Sequence, residues 1–143
     1  MADIQKALLT YIYNALMGSS DLKTAMGGTI RLSPEDAPPD TKFPYLIHRI
    51  DPRADPFYPM GLADYYLDIY SDSPNQSEIL DIRALIMALL DELQFTTDEA
   101  SRARLTWSLD TPVPEPEEGI WHRAMRFDMW FFRDAEITAI NAR

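Results

Sequence analysis

The sequence predicts an α+β fold in which an antiparallel or mixed β-sheet of about five strands is covered on one face by two helices. Two stretches have apolar residues at the three- and four-residue spacing of an amphipathic helix. Shorter stretches alternate with a period of two or are rich in aromatic and β-branched residues, and proline-containing loops separate several of them. The chain has 143 residues, which is the size of one domain with a single core, so we treat residues 1–143 as that domain.

The first part of the chain begins with a predicted amphipathic helix that ends near Gly18. Its apolar stripe consists of Ile4, Leu8, Ile12 and Leu16. Residues 29–32 are predicted as a short strand, and residues 45–50, which are rich in aromatic and β-branched residues, as a second strand. The prolines within residues 33–44 predict an irregular loop between these strands.

The middle of the chain predicts a strand that leads directly into the longest helix. Along residues 62–72 alternate residues are predicted to be buried, namely Ala63, Tyr65, Leu67 and Ile69. Ser73 is the predicted N-cap, Pro74 fits the first turn, and Gln76 can hydrogen-bond back to the cap. The helix is predicted over residues 75–93, and its apolar stripe consists of Ile79, Ile82, Ile86, Leu89 and Leu93.

Two further strands are predicted after this helix. Residues 102–110 form the first, with a buried face made of Ala103, Leu105, Trp107 and Leu109. Residues 120–133 form the longest strand, with a buried face made of Met125, Phe127, Met129 and Phe131. The sheet face away from the helices is predicted to be mostly polar, and opposite charges on neighbouring strands should pair there. Its predicted charged residues are Arg31, Asp64, Asp68, Arg104, Arg126 and Asp128.

A proline-rich segment, DPRADPFYPMG at residues 51–61, joins two predicted strands and is expected to be a long hairpin arm. Its large apolar residues Phe57, Tyr58 and Met60 either form a contact surface or fold back over an edge of the sheet. On the first interpretation, a candidate interface combines this arm with charged residues of the chain, namely Arg53, Asp64, Asp68, Arg126 and Asp128.

Composition excludes several classes of function. The net charge is −10, with carboxylates interspersed among the arginines, which disfavours binding to a nucleic-acid backbone. The chain has no cysteine, so disulfides and zinc–thiolate sites are excluded, and a reducing compartment is compatible with that composition. No stretch approaches the roughly 20 apolar residues of a membrane span. The N-terminal residues do not have the pattern of a signal peptide, so we expect none.

No catalytic motif is present in the sequence, so we expect no enzyme, cofactor or metal site. His48 and His122 are interpreted as structural residues, although folding could bring either one next to a carboxylate. Glu115, Glu117 and Glu118 lie between prolines and a glycine, which favours a solvated acidic loop over a metal site.

The order of several stretches is more informative than any single motif. LKTAMGG and TIRLSPEDAPPDTKFPYLIHRI follow the first helix, ADYYLDIYSD precedes the helical stretch SPNQSEILDIRALIMALLDEL, and RARLTWSLD and GIWHRAMRFDMWFF come last. In this order they resemble the tail terminator or tail completion proteins of long-tailed bacteriophages, including the lambda-type tail terminators. The resemblance covers about residues 4–133 and involves structural motifs without a catalytic signature.

The resemblance implies an architectural role in the virion. Such proteins form a six-membered ring on the head-proximal end of the tail tube, stop tube polymerisation and present a surface to the head–tail connector. The implied partners are other copies of this chain, the tail tube protein and the connector or neck protein. DNA would pass through the lumen without specific binding, since like charges repel, and this late protein would assemble in the host bacterial cytoplasm.

Two alternatives remain at this stage. A neck or head-completion protein would bind the portal side without capping tail tubes. A small soluble ligand-binding domain would use the open face of the sheet and would require a concave pocket with a few polar groups.

Overall fold

The computed structural model describes residues 4–34, 36–57 and 60–133, and within this set it describes residues 54–57 by their backbone alone. The described residues form three helices, α1 (Ile4–Met17), α2 (Ser20–Ala25) and α3 (Ser77–Leu90). They also form six strands, β1 (Leu32–Pro34), β2 (Tyr45–Phe57), β3 (Met60–Ser71), β4 (Gln94–Phe95), β5 (Ser101–Val113) and β6 (Trp121–Phe132). The predicted α+β class is confirmed, with one more short strand and one more short helix than expected.

The six strands form one mixed sheet in the order β1-β2-β3-β6-β5-β4. β1 runs parallel to β2, and the remaining neighbours are antiparallel. The sheet curls so that both of its edges approach α1. On one side the Tyr13 ring lies 6.2 Å from the His48 ring of β2, and on the other Tyr11 stacks on Phe95 of β4 at 4.0 Å.

The core lies between the helices and one face of the sheet, which we call the core face. The predicted alternation of β3 is confirmed, because Ala63, Tyr65, Leu67 and Ile69 are buried. The predicted stripes of α1 and β6 are confirmed as well, and α3 buries Ile79, Ile82, Ile86 and Leu90. Leu89 and Leu93 are partly buried residues that pack against this core.

The segment predicted as a long hairpin arm between two strands is itself mostly strand, since β2 continues to Phe57 and β3 begins at Met60. Proline is uncommon within paired strands, because it cannot donate a ladder hydrogen bond. β1, however, pairs only with residues 46–48 of β2. Beyond residue 48, the side of β2 that faces away from β3 is therefore a sheet edge. A proline whose nitrogen faces that edge loses no hydrogen bond between strands. A register shift between Arg53 and Phe57 also interrupts the β2–β3 ladder.

Helix α3 begins at Ser77, and the predicted N-cap at Ser73 is wrong. The carbonyl of Ser73 accepts a hydrogen bond from Trp121 Nε1 of β6, and this contact holds residue 73 at the sheet. Gln76 occupies the N-cap position without a side-chain cap bond, while Asn75 Oδ1 accepts from the Ser77 N–H. The helix ends at Leu90, because the chain then turns to pair along β5.

The first strand and its arginine also differ from the prediction. β1 lies at residues 32–34 instead of 29–32, and Arg31 is not on the sheet face opposite the helices. Its guanidinium donates to the carbonyl groups of Lys42, Phe43 and Pro44, so it ties the loop before β2 to the start of β1. A charged side chain can satisfy several backbone acceptors in this way, and the sequence pattern did not indicate it.

The predicted burial of Trp107 and Leu109 in β5 is wrong, and for Leu109 the reason is a register shift. Ala103 and Leu105 are buried as predicted, but Trp107 is 40% exposed and Leu109 is 52% exposed. Between these two residues the pairing with β6 shifts by one, so Leu109 pairs with Arg126 and Asp110 pairs with Met125. Directly paired residues share a face, so the shift moves Leu109 away from the core face and places Asp110 on it.

Asp110 is consequently a buried carboxylate, with a side chain that is 1% exposed. It accepts hydrogen bonds from the guanidinium groups of Arg83 in α3 and Arg123 in β6. The two guanidinium cations satisfy the hydrogen-bonding oxygens of this buried anion. Burying the carboxylate without such partners would carry a high free-energy cost. The triad therefore links α3 to two neighbouring strands at the end of the sheet where β6 begins.

We expect Ile86→Asp to abolish cooperative folding, because Ile86 is fully buried and an unpaired charge there has no partner. The matched control is Leu80→Asp on the same helix, where Leu80 is 42% exposed and the change should cost little. Urea denaturation followed by circular dichroism measures both. Similar stability of the two variants would contradict the placement of α3.

We expect Asp110→Ala to lower the free energy of unfolding by about 3–5 kcal/mol, since it leaves two guanidinium groups without their shared carboxylate. Asp51→Ala is the control, because Asp51 forms an exposed ion pair with Arg49 and its loss should cost at most about 1 kcal/mol. Chemical denaturation of both variants at neutral pH gives the comparison. Equal losses would show that the triad adds nothing beyond a surface pair.

Candidate assembly surface

The sheet face opposite the core face, which we call the outer face, contains most of the charged residues predicted for the interface. Cross-strand register defines it, because residues paired across antiparallel strands point to the same side. Asp51 of β2, Asp64 of β3 and Asp128 of β6 are consecutive partners in one row. Like charges placed directly opposite one another destabilise a sheet unless neighbouring cations offset them.

Arginines in the adjacent rows supply those cations. Asp64 is 7% exposed, and its Oδ1 atom lies 3.1 Å from Arg126 Nη2 and 3.3 Å from Arg53 Nε. The same two arginines lie 3.7 Å from Asp128 Oδ1. The predicted pairing of opposite charges across strands is confirmed for Arg126 with Asp64 and for Arg53 with Asp64.

An aromatic residue separates two of the guanidinium groups on this face. The Tyr66 ring has Arg49 over it at 4.1 Å and Arg126 at 6.0 Å, which are cation–π distances. Together with the ion pairs, these contacts hold the arginines against the sheet. Arg126 Nε and Asp128 Oδ1 are buried without a hydrogen-bond partner, so the network is not fully satisfied within the described chain.

The structure brings together some of the predicted interface residues and separates others. Arg53, Asp64, Arg126 and Asp128 form the network just described, whereas Asp68 lies further along β3 beside His122. Met60 is partly buried and pairs with Phe132 of β6. Phe57 ends β2, but its side chain is outside the described part of the structure, as is the whole of Tyr58.

The end of the outer face where β6 begins contains a histidine between two carboxylates. His122 Nε2 lies 2.7 Å from Asp68 Oδ1, and His122 Nδ1 lies 2.6 Å from Glu115 Oε1. Burial alone would lower the pKa of His122, but the hydrogen bonds to Asp68 and Glu115 outweigh it and raise that pKa. Glu115 was interpreted as a solvated residue, so its contact with His122 corrects that interpretation.

The other histidine lies on the core face. His48 is 3% exposed, and its Nδ1 atom shares a hydrogen bond of 2.8 Å with the Tyr65 hydroxyl. Burial lowers the pKa of His48 to about 4 and raises the pKa of Tyr65 well above its usual value. Both side chains are therefore neutral at pH 7, which suits a buried pair.

Apolar groups are exposed at both edges of the sheet. On β5, Trp107 and Leu109 lie beyond the short stretch that β4 covers. At the other edge, a cleft of ≈ 290 Å³ lies between α1 and the β1–β2 edge, and its lining includes Leu9, Tyr13 and Pro34. The two surfaces differ, because one consists of exposed residues of a strand and the other is a cleft between a helix and the edge of the sheet.

Sequence reasoning missed several of these residues for identifiable reasons. Arg49 and Asp51 alternate with apolar residues of β2, and that alternation could have placed them on the outer face. The positions of Leu109 and Asp110 depend on a register shift that no local pattern indicates, whereas Trp107 precedes the shift and its exposure has no signal in the sequence. The Glu115–His122 contact depends on how the loop returns to the sheet.

Two kinds of feature, a metal-ligand cluster and a membrane-spanning helix, are not found in the described part of the chain. Among its residues, no three His, Asp or Glu side chains are arranged to hold a metal ion. Within the same ranges, none of the helices is long and apolar enough to cross a membrane.

Comparison with known families identifies the class of this protein as a structural protein of phage tails. The sequence model of the family described as tail completion protein gp17 matches residues 10–131, which is most of the chain. The chain belongs to the tail completion protein gp17 family. A search of curated protein sequences finds no match.

Solved structures share the fold at low sequence identity. A chain of the virion of a native gene transfer agent particle superposes with a TM-score of 0.73 at 12% identity, covering 92% of this chain and 99% of that one. A second solved chain has a TM-score of 0.62 at 13% identity, covering 90% of this chain and 96% of the other. The family match over residues 10–131 confirms the recognition of the tail completion class from sequence, and these structures show the shared fold.

We expect the free energy of unfolding to fall as pH is lowered from 6.5 to 5, by up to about 1.4 kcal/mol per pH unit. The folded pKa of His48 is about 4, below the ordinary 6.5, so in this window the unfolded chain binds a proton that the native state does not. His48→Gln should remove this slope, whereas His122→Gln should retain it, because the raised pKa of His122 acts above pH 6.5. Urea titrations at several pH values measure the slopes. A slope that survives in His48→Gln would contradict the assignment.

Proposed function

We propose that this protein forms a hexameric ring on the head-proximal end of the tail tube, ends tube polymerisation and joins the tail to the head–tail connector. The proposed partners are further copies of the chain, the tail tube protein and the connector or neck protein. Membership of the tail completion family supports the location in the virion tail, with assembly in the host bacterial cytoplasm. The similar fold in a gene transfer agent virion is compatible with a place in a particle.

The observation that supports a ring best is the difference between the two edges of the sheet. A closed ring needs heterologous contacts, in which one surface of a subunit meets a different surface of the next. The strand order places the exposed Trp107 and Leu109 of β5 and the cleft between α1 and β1 at opposite edges. Each edge exposes apolar groups that a neighbouring copy can bury.

The outer face suits contact with a polar partner such as the tube or the connector. Its network of Arg53, Asp64, Arg126 and Asp128 is held in place by ion pairs, and Arg126 Nε remains without a hydrogen-bond partner. The side chains of Arg53, Arg126 and Asp128 are 39%, 35% and 44% exposed, so a polar partner can bind them directly. The roles of these residues, of Asp68, and of Phe57, Tyr58 and Met60 at the end of the β2–β3 hairpin remain predictions from the sequence.

Passage of DNA without specific binding is part of the proposal. The net charge of −10 disfavours adhesion of a phosphate backbone, and Arg49, Arg53 and Arg126 on the outer face are paired with aspartates. A positive potential along the lumen of an assembled ring would contradict this part of the proposal.

We expect light scattering to give six times the chain mass of 16.4 kDa, either for the protein alone or for complexes formed when purified tail tube protein is added. Electron microscopy of the mixture should show the protein at one end of each tube and tubes of limited length. A monomer that leaves tube length and mass unchanged would contradict the proposal. Binding to a portal or neck protein without capping tubes would instead favour a neck protein.

Paired variants test, in the same assay, which regions of the subunit are needed for ring formation. Trp107→Ser with Leu109→Ser should weaken ring formation at unchanged monomer folding, because both side chains are substantially exposed. Leu80→Ser is the control, since Leu80 is an exposed apolar residue that belongs to α3 and not to β5. The double variant Phe57→Ser with Tyr58→Ser tests the two residues of the hairpin arm that the sequence indicates as candidate interface residues. Equal assembly by all variants would show that neither region is an interface.

A further inference from the structure

His122 is placed so that both of its ring nitrogens must donate. Nε2 faces the Asp68 carboxylate at 2.7 Å and Nδ1 faces the Glu115 carboxylate at 2.6 Å. A neutral imidazole has one donor and one acceptor, so it would direct a lone pair at one of two anions. An imidazolium donates to both. The geometry therefore requires a proton on the ring while both carboxylates are ionised.

The surroundings of the ring favour its charged form. The Tyr70 ring stacks on His122 at a centroid distance of 4.1 Å, and Tyr45 stacks on Tyr70 at 4.8 Å. A cation over the face of an aromatic ring is attracted by its electron density. Burial together with Asp68 and Glu115 raises the pKa of Tyr70 to about 12, so this tyrosine remains neutral across the physiological range.

The titratable groups that act on His122 or on the tyrosines stacked beside it are acidic or neutral, whereas Arg83 and Arg123 at the same end of the sheet bind Asp110 on the core face. Asp68 and Tyr70 belong to β3, and Tyr45 belongs to β2. Asp36, in the loop after β1, and Glu115 and Glu117, in the loop before β6, are close enough to raise the pKa of Tyr45, although burial is the larger cause. The groups that act on His122 itself are Asp68 and Glu115, and both raise its pKa. Deprotonation of the ring therefore removes the cation that these two carboxylates share.

Glu115 is the residue that attaches the loop of residues 114–119, which we call the acidic loop. It is partly buried, with a side chain that is 22% exposed, whereas the other residues of this loop are exposed. Asp68, by contrast, lies in the middle of β3, which is paired on both sides. The backbone of Asp68 is therefore held by two neighbouring strands, whereas Glu115 lies outside any strand, so the Glu115 contact is the one expected to open.

We propose that His122 is a proton-dependent latch, whose imidazolium holds the acidic loop on the outer face and releases it when the ring loses its proton. The acidic loop contains Glu115, Glu117 and Glu118, so the latch determines where three negative charges lie at one end of the sheet. The direction of the pH dependence follows from these contacts. The loop is held below the His122 pKa and released as pH rises through it. The inference concerns the single chain and does not depend on ring formation.

The test is an NMR titration of the full chain between pH 5.5 and 9. The His122 ring protons report the midpoint, and ¹⁵N relaxation of the amides of Glu115, Glu117 and Glu118 reports the order of the acidic loop. We expect a midpoint above 6.5, with loop order lost at that same midpoint. His48 is the internal control, because its pKa of about 4 keeps it from titrating in this range.

Two matched variants distinguish the contact between His122 and Glu115 from a general effect of negative charge in the acidic loop. Glu115→Ala should lower the His122 midpoint by about 1 pH unit and leave the acidic loop mobile at every pH. Glu117→Ala removes the same charge from the same loop at an exposed position and should preserve the latch. A midpoint at or below 6.5, loop order that is independent of the titration, or equal effects of the two variants would overturn the proposal.

Discussion

The burial of one face of β3 and β6 beneath α1 and α3 is the constraint on which the rest of this structure depends. Tyr65 and Phe127 are neighbours across these central strands, and both are fully buried. Since side chains alternate along a strand, burying one set directs the other set to the outer face. The row of aspartates and its arginines are therefore a direct consequence of the core, and their close packing follows from the pairing register.

The curl of the sheet and the register shift in β5 give the two edges their different characters. Curling brings both edges to α1, where Tyr11 stacks on Phe95 at one side and a cleft remains at the other. The shift turns Leu109 away from the core face and brings Asp110 onto it, where Arg83 and Arg123 neutralise its charge. One extra residue in a strand thus creates both an exposed apolar edge and a buried ionic link.

The two histidines show how environment determines the protonation of the same side chain. His48 is enclosed on the core face beside a neutral tyrosine, so desolvation favours its neutral form. His122 lies between two carboxylates on the outer face, so its charged form is favoured despite partial burial. Opposite sides of one sheet therefore shift the pKa values of their histidines in opposite directions, and His48 packs in the core while His122 attaches a loop.

The amino-acid pattern by itself determined the fold class, the stripes of α1 and α3, the buried faces of β3 and β6, and the recognition of the tail completion class, because these features depend on local periodicity and on the order of elements. Tertiary structure alone decided the later start of α3 and the continuation of β2 through its prolines, since each depends on a neighbouring strand that is distant in sequence. It also decided the partners of Asp110, Arg31 and Glu115. Charged side chains have no period that reveals their partners, and a register shift leaves no local signature, so only the folded chain brings these groups together.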